Sequence, residues 1–187
     1  MTEVQRDNTY PVLHGERVYL RRPSMQDAQY VFHWERDDVV WRYDPRRPYS
    51  QNVREFLPVF ERNYVQGNGR QFWFIIEDEQ HLPIGTITYF NIDYKSGQTE
   101  LGLGLGERTR WGKGYGPEAI RTLVSHLFSQ PGLTRVYAET AVANLPARRA
   151  FAKAGFIEVG PIYDPRNTGV PWILLEIRKQ RKDFLAR

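Results

Sequence analysis

Apolar residues recur along this chain with two different periods, and each period predicts one kind of element. Stretches in which apolar or β-branched residues alternate with polar ones, or follow one another for a few positions, predict β-strands. Seven segments have this pattern: Arg17–Arg21, Gln71–Ile76, Pro83–Phe90, Thr99–Gly106, Arg135–Thr140, Phe156–Gly160 and Val170–Ile177. Apolar residues three and four positions apart predict amphipathic helices. Four segments have that spacing. The first follows Ser24 and ends at about Glu35, and the others are Asn52 to Tyr64, Pro117 to Ser129 and Leu145 to Ala154.

Residues with preferences for helix ends support these boundaries. Ser24 precedes Asp27 by three positions, which is an acidic variant of the capping-box spacing. Pro131-Gly132 follows the third predicted helix, and Gly155 follows the fourth. Pro58 lies inside the second predicted helix, where we expect a kink.

The order of the predicted elements indicates the fold class. One strand, two helices, three strands, a helix, a strand, a helix and two strands follow one another. This order implies an α/β (α+β mixed) fold in which helices cover both faces of a mixed sheet. No internal repeat and no linker rich in Pro, Gly or Ser divides the chain. We expect a flexible arm at residues 1–12 and a single domain at residues 13–187.

Composition narrows the class of protein. Of the 187 residues, 41% are hydrophobic and 26% are charged, which is ordinary for a globular chain. No stretch approaches the roughly 20 apolar residues of a membrane span, and the first residues lack the apolar core of a signal peptide. The chain has no cysteine, which excludes disulfides, thiolate metal sites and a cysteine nucleophile. We expect a cytoplasmic protein with no membrane partner.

The charge balance adds little information about function. The 26 Lys and Arg residues outnumber the 22 Asp and Glu residues, for a net charge of +4, and the basic residues are dispersed. An RNA-binding function would rest on this excess alone, so we expect no nucleic acid partner. The four histidines share no metal-ligand spacing, and we assign no metal.

Three glycines between a predicted strand and a predicted helix are the strongest candidate for a ligand site. Gly112, Gly114 and Gly116 would let backbone N–H groups approach an anion, and the following helix N-terminus adds unpaired donors and a partial positive charge. Their spacing fits neither the Walker loop nor the dinucleotide G-x-G-x-x-G motif. The segment therefore predicts a phosphate site of another kind.

Two segments of the chain resemble one known family. The segment 111–119, Trp-Gly-Lys-Gly-Tyr-Gly-Pro-Glu-Ala, resembles the coenzyme A pyrophosphate motif of GNAT acetyltransferases, and is most similar to the RimJ/RimL-like branch. The segment 144–156, from Asn144 to Phe156, is similar to the second motif of that family. The resemblance covers residues 13–178. It implies a GNAT-like three-layer α/β/α sandwich around a mixed, splayed sheet of about seven strands.

The resemblance also implies acetyl-CoA as cosubstrate and a set of residues that bind it. The strands at 99–106 and 135–140 would splay apart, and backbone groups near Leu103 and Leu105 would bind the pantetheine arm. Trp111 stands where the family pattern has Gln or Arg, and Asn144 would support the cofactor or the splay. The residues implied for the phosphates are Gly112, Lys113, Gly114, Tyr115, Gly116, Arg148, Arg149 and Lys153.

The implied reaction is direct attack of an amine on the thioester, and its catalytic groups are only partly present. Glu100 matches the position of the glutamate that acts as base in many members. Phe151 and Ala147 stand where members carry the Tyr or Ser that protonates the thiolate. Tyr163 and Tyr115 are other candidate acids, and water is an alternative. A non-catalytic acyl-CoA-binding regulatory module is the competing interpretation.

The acceptor is left open between a protein N-terminus and a small amine such as a polyamine, an amino acid or an aminoglycoside. Aromatic faces and carboxylates suit a cation, and candidates for such a pocket are Trp41, Tyr43 and Asp44, with Tyr163 and Asp164 opposite. Trp41 and Tyr43 could equally pack in the core. Since dimers are common in the family, both a monomer and a homodimer are compatible with the sequence.

Overall fold

The computed structural model of the chain describes residues 11–40, 42–43, 52–164 and 169–180. In this part of the chain there are eight strands and four α-helices. Their bounds are β1 Leu13–His14, β2 Tyr19–Arg21, α1 Ala28–Glu35, α2 Val53–Phe60, β3 Gln71–Glu77, β4 Pro83–Asp93, β5 Gln98–Leu105, α3 Tyr115–Ser129, β6 Arg135–Ala141, α4 Leu145–Lys153, β7 Ile157–Ile162 and β8 Trp172–Arg178. No helix of the described residues is long and apolar enough to cross a bilayer.

All the strands belong to one sheet, in the order β1-β2-β3-β4-β5-β6-β8-β7. Neighbouring strands are antiparallel except β5 and β6, which are parallel. The predicted mixed sheet is confirmed, but it has eight strands and not seven. The predicted first strand at 17–21 is shortened to β2 because the N–H groups of Arg17 and Val18 donate to the Glu118 carboxylate. The eighth strand, which the sequence pattern did not predict, is β1.

Helices cover both faces of the sheet, as predicted. Successive residues of β3 pack into two different cores. Phe74 and Ile76 belong to the core beneath α3 and α4, whereas Ile75 belongs to the core beneath α1 and α2. This alternation follows from the two-residue period of a strand. The two faces are called here the α1/α2 face and the α3/α4 face.

Local sequence signals explain most helix ends. The Ser24 N–H donates to Asp27 Oδ2 at 2.8 Å, which makes the acidic capping arrangement ahead of α1. Asn52 caps α2 by accepting from the Glu55 N–H at 3.0 Å. Pro58 lies within α2, and a π-helical turn, Glu61–Gln66, continues from the end of that helix. The kink expected at Pro58 stays a prediction. Helix α3 begins at Tyr115, two residues before the predicted start.

Candidate active site

The parallel strands β5 and β6 separate partway along their length and leave a cleft. Their pairing ends with Glu100 opposite Tyr137, although β5 continues to Leu105 and β6 to Ala141. On its other side β5 stays paired with β4 as far as Leu105. The splay that the family resemblance implies is therefore present, with its apex at Glu100 and Tyr137.

The exposed edge of β5 presents alternate main-chain groups to this cleft. The Gly106 N–H donates to the Ile84 carbonyl at 3.0 Å, so in the antiparallel ladder the alternate residues of β5 bond to β4. The main-chain groups of Leu103 and Leu105 therefore face the cleft. The indole Nε1–H of Trp111 donates to the Leu105 carbonyl at 2.9 Å. This bond gives the Trp111 side chain a role that the sequence did not predict, since it anchors the start of the glycine loop to β5.

The glycine loop leads directly into α3. Gly112 and Gly114 have φ values of 75° and 94°, in the left-handed region that glycine adopts without a Cβ penalty. The first helical hydrogen bond runs from the Glu118 N–H to the Gly114 carbonyl at 3.2 Å. Tyr115 and Gly116 thus form the helix N-terminus, whose first N–H groups have no intrahelical acceptor. The loop has the geometry of an anion site.

Arg17 holds this loop against the N-terminal strands. Its guanidinium contacts the Lys113 carbonyl at 3.3 Å, lies 3.2 Å from Glu118 Oε2 and sits 5.0 Å from the centre of the Tyr115 ring. Glu118 is 5% exposed, and its carboxylate also accepts from the backbone. Glu118 therefore fixes α3 to β2.

A second set of contacts fixes the loop to the turn between β3 and β4. The Arg110 guanidinium lies 2.6 Å from Asp78 Oδ2, and Asp78 is 0% exposed. The Tyr115 hydroxyl donates to the Glu79 carboxylate at 2.8 Å, and this bond raises the pKa of Tyr115. Tyr115, one of the candidate acids, is thus engaged with Glu79.

Helix α4 meets the cleft through Asn144. The Asn144 amide accepts from the Ala147 N–H at 3.3 Å and donates to Thr140 Oγ1 at 3.0 Å, which ties the start of α4 to the end of β6. The Arg148 guanidinium is paired with Glu158 at 2.7 Å and donates to the Val142 carbonyl at 2.8 Å.

The hydrogen bond with Glu158 raises the pKa of Arg148. Of the basic residues predicted to meet the cofactor phosphates, Arg149 and Lys153 are exposed on α4. Arg148 instead joins α4 to β7.

A cavity of about 200 Å³ lies at the apex of the splay, on the α1/α2 face. Three carboxylate residues line it, Glu35, Glu100 and Glu139, and no Lys, Arg or His is among the described lining residues. The floor is formed by Gly102 and Gly104 of β5 and by Gly106, which directly follows β5, because the leucines between them point to the α3/α4 face. The aromatic wall is formed by Trp34, Tyr43, Tyr64, Trp73, Phe90 and Trp172.

Glu100 is the most enclosed of the three carboxylates, at 6% exposed. Its Oε2 accepts from the Asn91 side-chain amide at 2.8 Å. Burial raises the pKa of the neighbouring Tyr137, the charges of Glu100 and Glu139 raise it further, and a hydrogen bond with Asn91 lowers it. The resulting pKa lies above the usual value, so Tyr137 is a protonated phenol at neutral pH.

Glu35 is held on the opposite wall by an aromatic stack. The Tyr64 hydroxyl donates to Glu35 Oε1. The Tyr64 ring lies 4.9 Å from Phe60 and 4.4 Å from Trp73, measured between ring centres. Tyr64 belongs to the π-helical turn, a type of irregularity that is frequent at functional sites.

The structure brings some of the predicted site residues together and leaves others apart. Glu100, Leu103, Asn144 and Tyr43 line the cavity. Tyr163 is 89% exposed and is not among the lining residues. The Asp164 carboxylate accepts from the Gly169 N–H at 2.7 Å. Trp41 and Asp44 fall outside the described residues.

Sequence reasoning missed Arg17, Asn91, Glu35 and Glu139. The Arg17 contacts join residues about 100 positions apart, and no local pattern signals them. Asn91 had no signal either, because a polar residue between Phe90 and Ile92 has the ordinary alternation of a regular strand. Within the described part of the chain, no group of three or more His, Cys, Asp and Glu side chains could hold a metal ion.

Comparison with known proteins agrees with this geometry. A profile of the family described as Acetyltransferase (GNAT) domain matches residues 17–157. Aminoglycoside N(6')-acetyltransferase type 1 of Klebsiella pneumoniae is 35% identical over 167 residues, covering 83% of this chain and 82% of that protein. An uncharacterized N-acetyltransferase of Bacillus licheniformis, p20, is 27% identical over 154 residues, covering 81% and 85%.

Solved structures share the fold. Spermidine N-acetyltransferase from Vibrio cholerae, in complex with CoA and spermine, superposes with a TM-score of 0.74 at 19% identity, over 90% of this chain and 98% of that chain. An aminoglycoside acetyltransferase in complex with coenzyme A superposes with a TM-score of 0.73 at 21% identity, over 90% and 97%.

Proposed function

The chain belongs to the GNAT acetyltransferase family, and from this premise we propose that it transfers an acetyl group from acetyl-CoA to a primary amine of a small, multiply charged cation. The observation that carries the acceptor class is the cavity, which is lined by three carboxylates and no basic side chain among the described residues. A neutral peptide-like acceptor would gain no electrostatic attraction from this excess of negative charge.

The residues of the cleft fit coenzyme A. The left-handed glycines of the loop and the first turn of α3 offer N–H donors to a pyrophosphate. The unpaired edge of β5 offers main-chain donors and acceptors to the amides of a pantetheine arm. These groups are the N–H and carbonyl of Leu103 and the N–H of Leu105, since the Leu105 carbonyl accepts from Trp111. Arg149 and Lys153 on α4 and Lys113 in the loop are exposed cations on the surrounding surface.

Two kinds of relative support a polycationic acceptor. The aminoglycoside 6'-acetyltransferase is the relative with 35% identity, and the spermidine acetyltransferase, solved with spermine, shares the fold. Aminoglycosides and polyamines both carry several ammonium groups. Glu35 and Glu139 would hold ammonium groups that do not react, and the aromatic wall would contact the rest of the cation.

In the proposed mechanism Glu100 acts as general base at the apex of the splay. It takes a proton from the amine, directly or through water, as the nitrogen attacks the thioester carbonyl carbon. Main-chain N–H groups on the free edge of β5 stabilise the negative charge that develops on the carbonyl oxygen. The carbon–sulfur bond breaks, and the sulfur leaves as a thiolate.

The thiolate acquires a proton to complete the reaction. The exposure of Tyr163 favours water over this phenol as the donor. The reacting amine is the neutral form, which has already released its ammonium proton to solvent. From that form the net result is one proton moved from nitrogen to sulfur, and no covalent enzyme intermediate forms.

Acetyl transfer to a panel of acceptors tests this proposal, with thiol release as the signal. We expect turnover with aminoglycosides or polyamines and little with amino acids or N-terminal peptides. Glu100→Gln should lower kcat by about 10²–10⁴-fold, the usual contribution of a general base, while the Kd for coenzyme A is unchanged.

Glu139→Gln is the matched control, because it removes another carboxylate from the same cavity. It should raise the acceptor KM with a smaller effect on kcat. Tight coenzyme A binding without turnover for any acceptor would favour the non-catalytic module. Turnover confined to N-terminal peptides would refute the acceptor class alone.

A further inference from the structure

A β-bulge in β4 lies directly beside the apex of the splay. Phe90 pairs with Glu100 and Asp93 pairs with Gln98, so Asn91 and Ile92 together face the single residue Thr99. The Thr99 hydroxyl donates to the Phe90 carbonyl at 2.8 Å and closes the bulge. Bulges of this kind redirect a side chain and are frequent next to active sites.

The bulge places Asn91 on the same face as Glu100. Phe90 lines the cavity on the α1/α2 face, and Ile92 packs against the core on the α3/α4 face. In a regular strand Asn91 would point away from Phe90, to the face that Ile92 now occupies. With the extra residue, Asn91 instead reaches the Glu100 carboxylate.

The backbone at Asn91 has an unusual conformation that serves this placement. Its φ is 52°, one of two positive values at non-glycine residues in the described chain. The left-handed region is unfavourable for most residues, and Asn tolerates it better than most others. Glycine would occupy this position with less strain, yet it has no amide to donate. The positive φ is a backbone outlier beside the apex of the splay, and the residue that adopts it carries a side-chain donor.

We propose that Asn91 is a positioning residue for acetyl transfer: its amide fixes the Glu100 carboxylate at the apex of the splay and favours its ionised form. The inference rests on the proposed role of Glu100 as base. The donor lies 2.8 Å from Glu100 Oε2, and a hydrogen bond to the charged form of an acid stabilises that form.

Several titratable and charged groups from other elements lie around Glu100. From β6, Tyr137 pairs with Glu100, and Glu139 lies close enough to act on the same phenol. The Arg135 guanidinium lies 5.0 Å from the centre of the Tyr137 ring and is engaged by Glu176 at 2.6 Å. From α1, Glu35 lines the same cavity. Asn91 donates to Glu100 from the β4 side.

Asn91→Gly is the sharpest variant, because it keeps the backbone conformation and removes only the amide. Asn91→Asp keeps the size of the side chain but replaces the donor with a second carboxylate. Asp93→Asn is the matched control at the other end of the bulge, where Asp93 accepts from the Lys95 N–H at 2.9 Å and the Ser96 hydroxyl at 2.6 Å.

Two measurements distinguish positioning from a purely structural role. The first is the pH profile of kcat/KM, in which the acid limb should move to higher pH by about one unit in Asn91→Gly and further in Asn91→Asp. The second is the carboxyl-carbon NMR titration of Glu100, whose midpoint should move in the same direction in the same variants. We expect kcat to fall about tenfold in Asn91→Gly, with an unchanged Kd for coenzyme A. Asp93→Asn should leave both midpoints in place.

The NMR titration needs no turnover, so the inference can fail separately from the proposed function. A Glu100 midpoint that is the same in wild type, Asn91→Gly and Asn91→Asp would overturn the inference, whatever the activity. If the midpoint moves but Glu100→Gln is fully active, Glu100 is not the base and a role for Asn91 in transfer is refuted with it.

Discussion

Replacing Gly106 by alanine tests how closely α1 packs on the floor of the cavity. A Cβ at Gly106 would lie 2.0 Å from the nearest ring atom of Trp34, whereas carbon atoms in contact are about 3.5–4.0 Å apart. Relieving this overlap requires a shift of about 1.5 Å, the difference between 3.5 and 2.0 Å. The indole is 5% exposed, and its Nε1–H donates to Glu107 at 3.2 Å, so moving the ring disturbs a buried and hydrogen-bonded group.

The expected cost follows from that geometry. Extra atoms in a packed core cost about 1–3 kcal/mol, and the rigid backbone of β5 and the rigid indole place Gly106→Ala at the upper end. We expect about 3 kcal/mol less free energy of unfolding. A protein of this size loses about 2–4 °C in Tm per kcal/mol, so Tm should fall by about 6–12 °C. Urea unfolding followed by tryptophan fluorescence measures the free energy directly.

Gly104→Ala is the matched control, two residues earlier in the chain and on the same face of the sheet. Its Cβ would meet Thr86 Oγ1 at 3.7 Å, which is ordinary contact, so its loss of stability should stay near the Gly-to-Ala background. Trp34→Leu in the Gly106→Ala background should recover part of the loss, because it removes the ring that the new methyl meets. Equal stability of the two alanine variants would refute the packing argument.

Two further predictions concern ionisation and acceptor binding. Burial raises the pKa of Asp27, but hydrogen bonds from Arg21 and Ser24 outweigh it and hold this pKa below the usual value. The stabilisation is therefore complete above the unfolded-state pKa of about 3.9 and is lost as the pH falls through the folded-state value. Between about pH 5 and 3, Tm should fall more steeply in wild type than in Asp27→Asn, and parallel curves would contradict this. Tyr64→Phe keeps the stack and removes the donor to Glu35, so the acceptor KM should rise about tenfold at constant kcat; an unchanged KM would be the contrary result.

The elements whose signals are local could be predicted from the sequence. The hairpin of β3 and β4 has strongly β-branched and aromatic strands around a charged turn, and the apolar stripe of α3 ends at a proline and a glycine. Element bounds differ where a distant group decides them. Arg17 and Val18 have a strand-like pattern, but Glu118 takes their N–H groups, and Glu118 is about 100 positions away.

The candidate site also has one part with a local sequence signal and another part that depends on distant residues. The glycine loop could be predicted because its function depends on backbone conformation, which glycine spacing reports. The cavity at the apex could not, because Glu35, Glu100 and Glu139 come from three separate elements and line one cavity only when the sheet is assembled. Arg148 illustrates the converse: a motif position indicated a phosphate ligand, and the structure pairs its guanidinium with Glu158.

The separation of β5 and β6 also gives the sheet two edges in its interior. An outer edge with unpaired N–H and C=O groups is a template for another chain and a hazard for aggregation. These inner edges diverge from a closed apex at Glu100 and Tyr137, so a strand of a neighbouring molecule could reach them only end-on. A slender, extended molecule can enter the cleft between β5 and β6, whereas the sheet of another protein molecule cannot. The fold thereby keeps a strand edge available for hydrogen bonding without offering it to other copies of the protein.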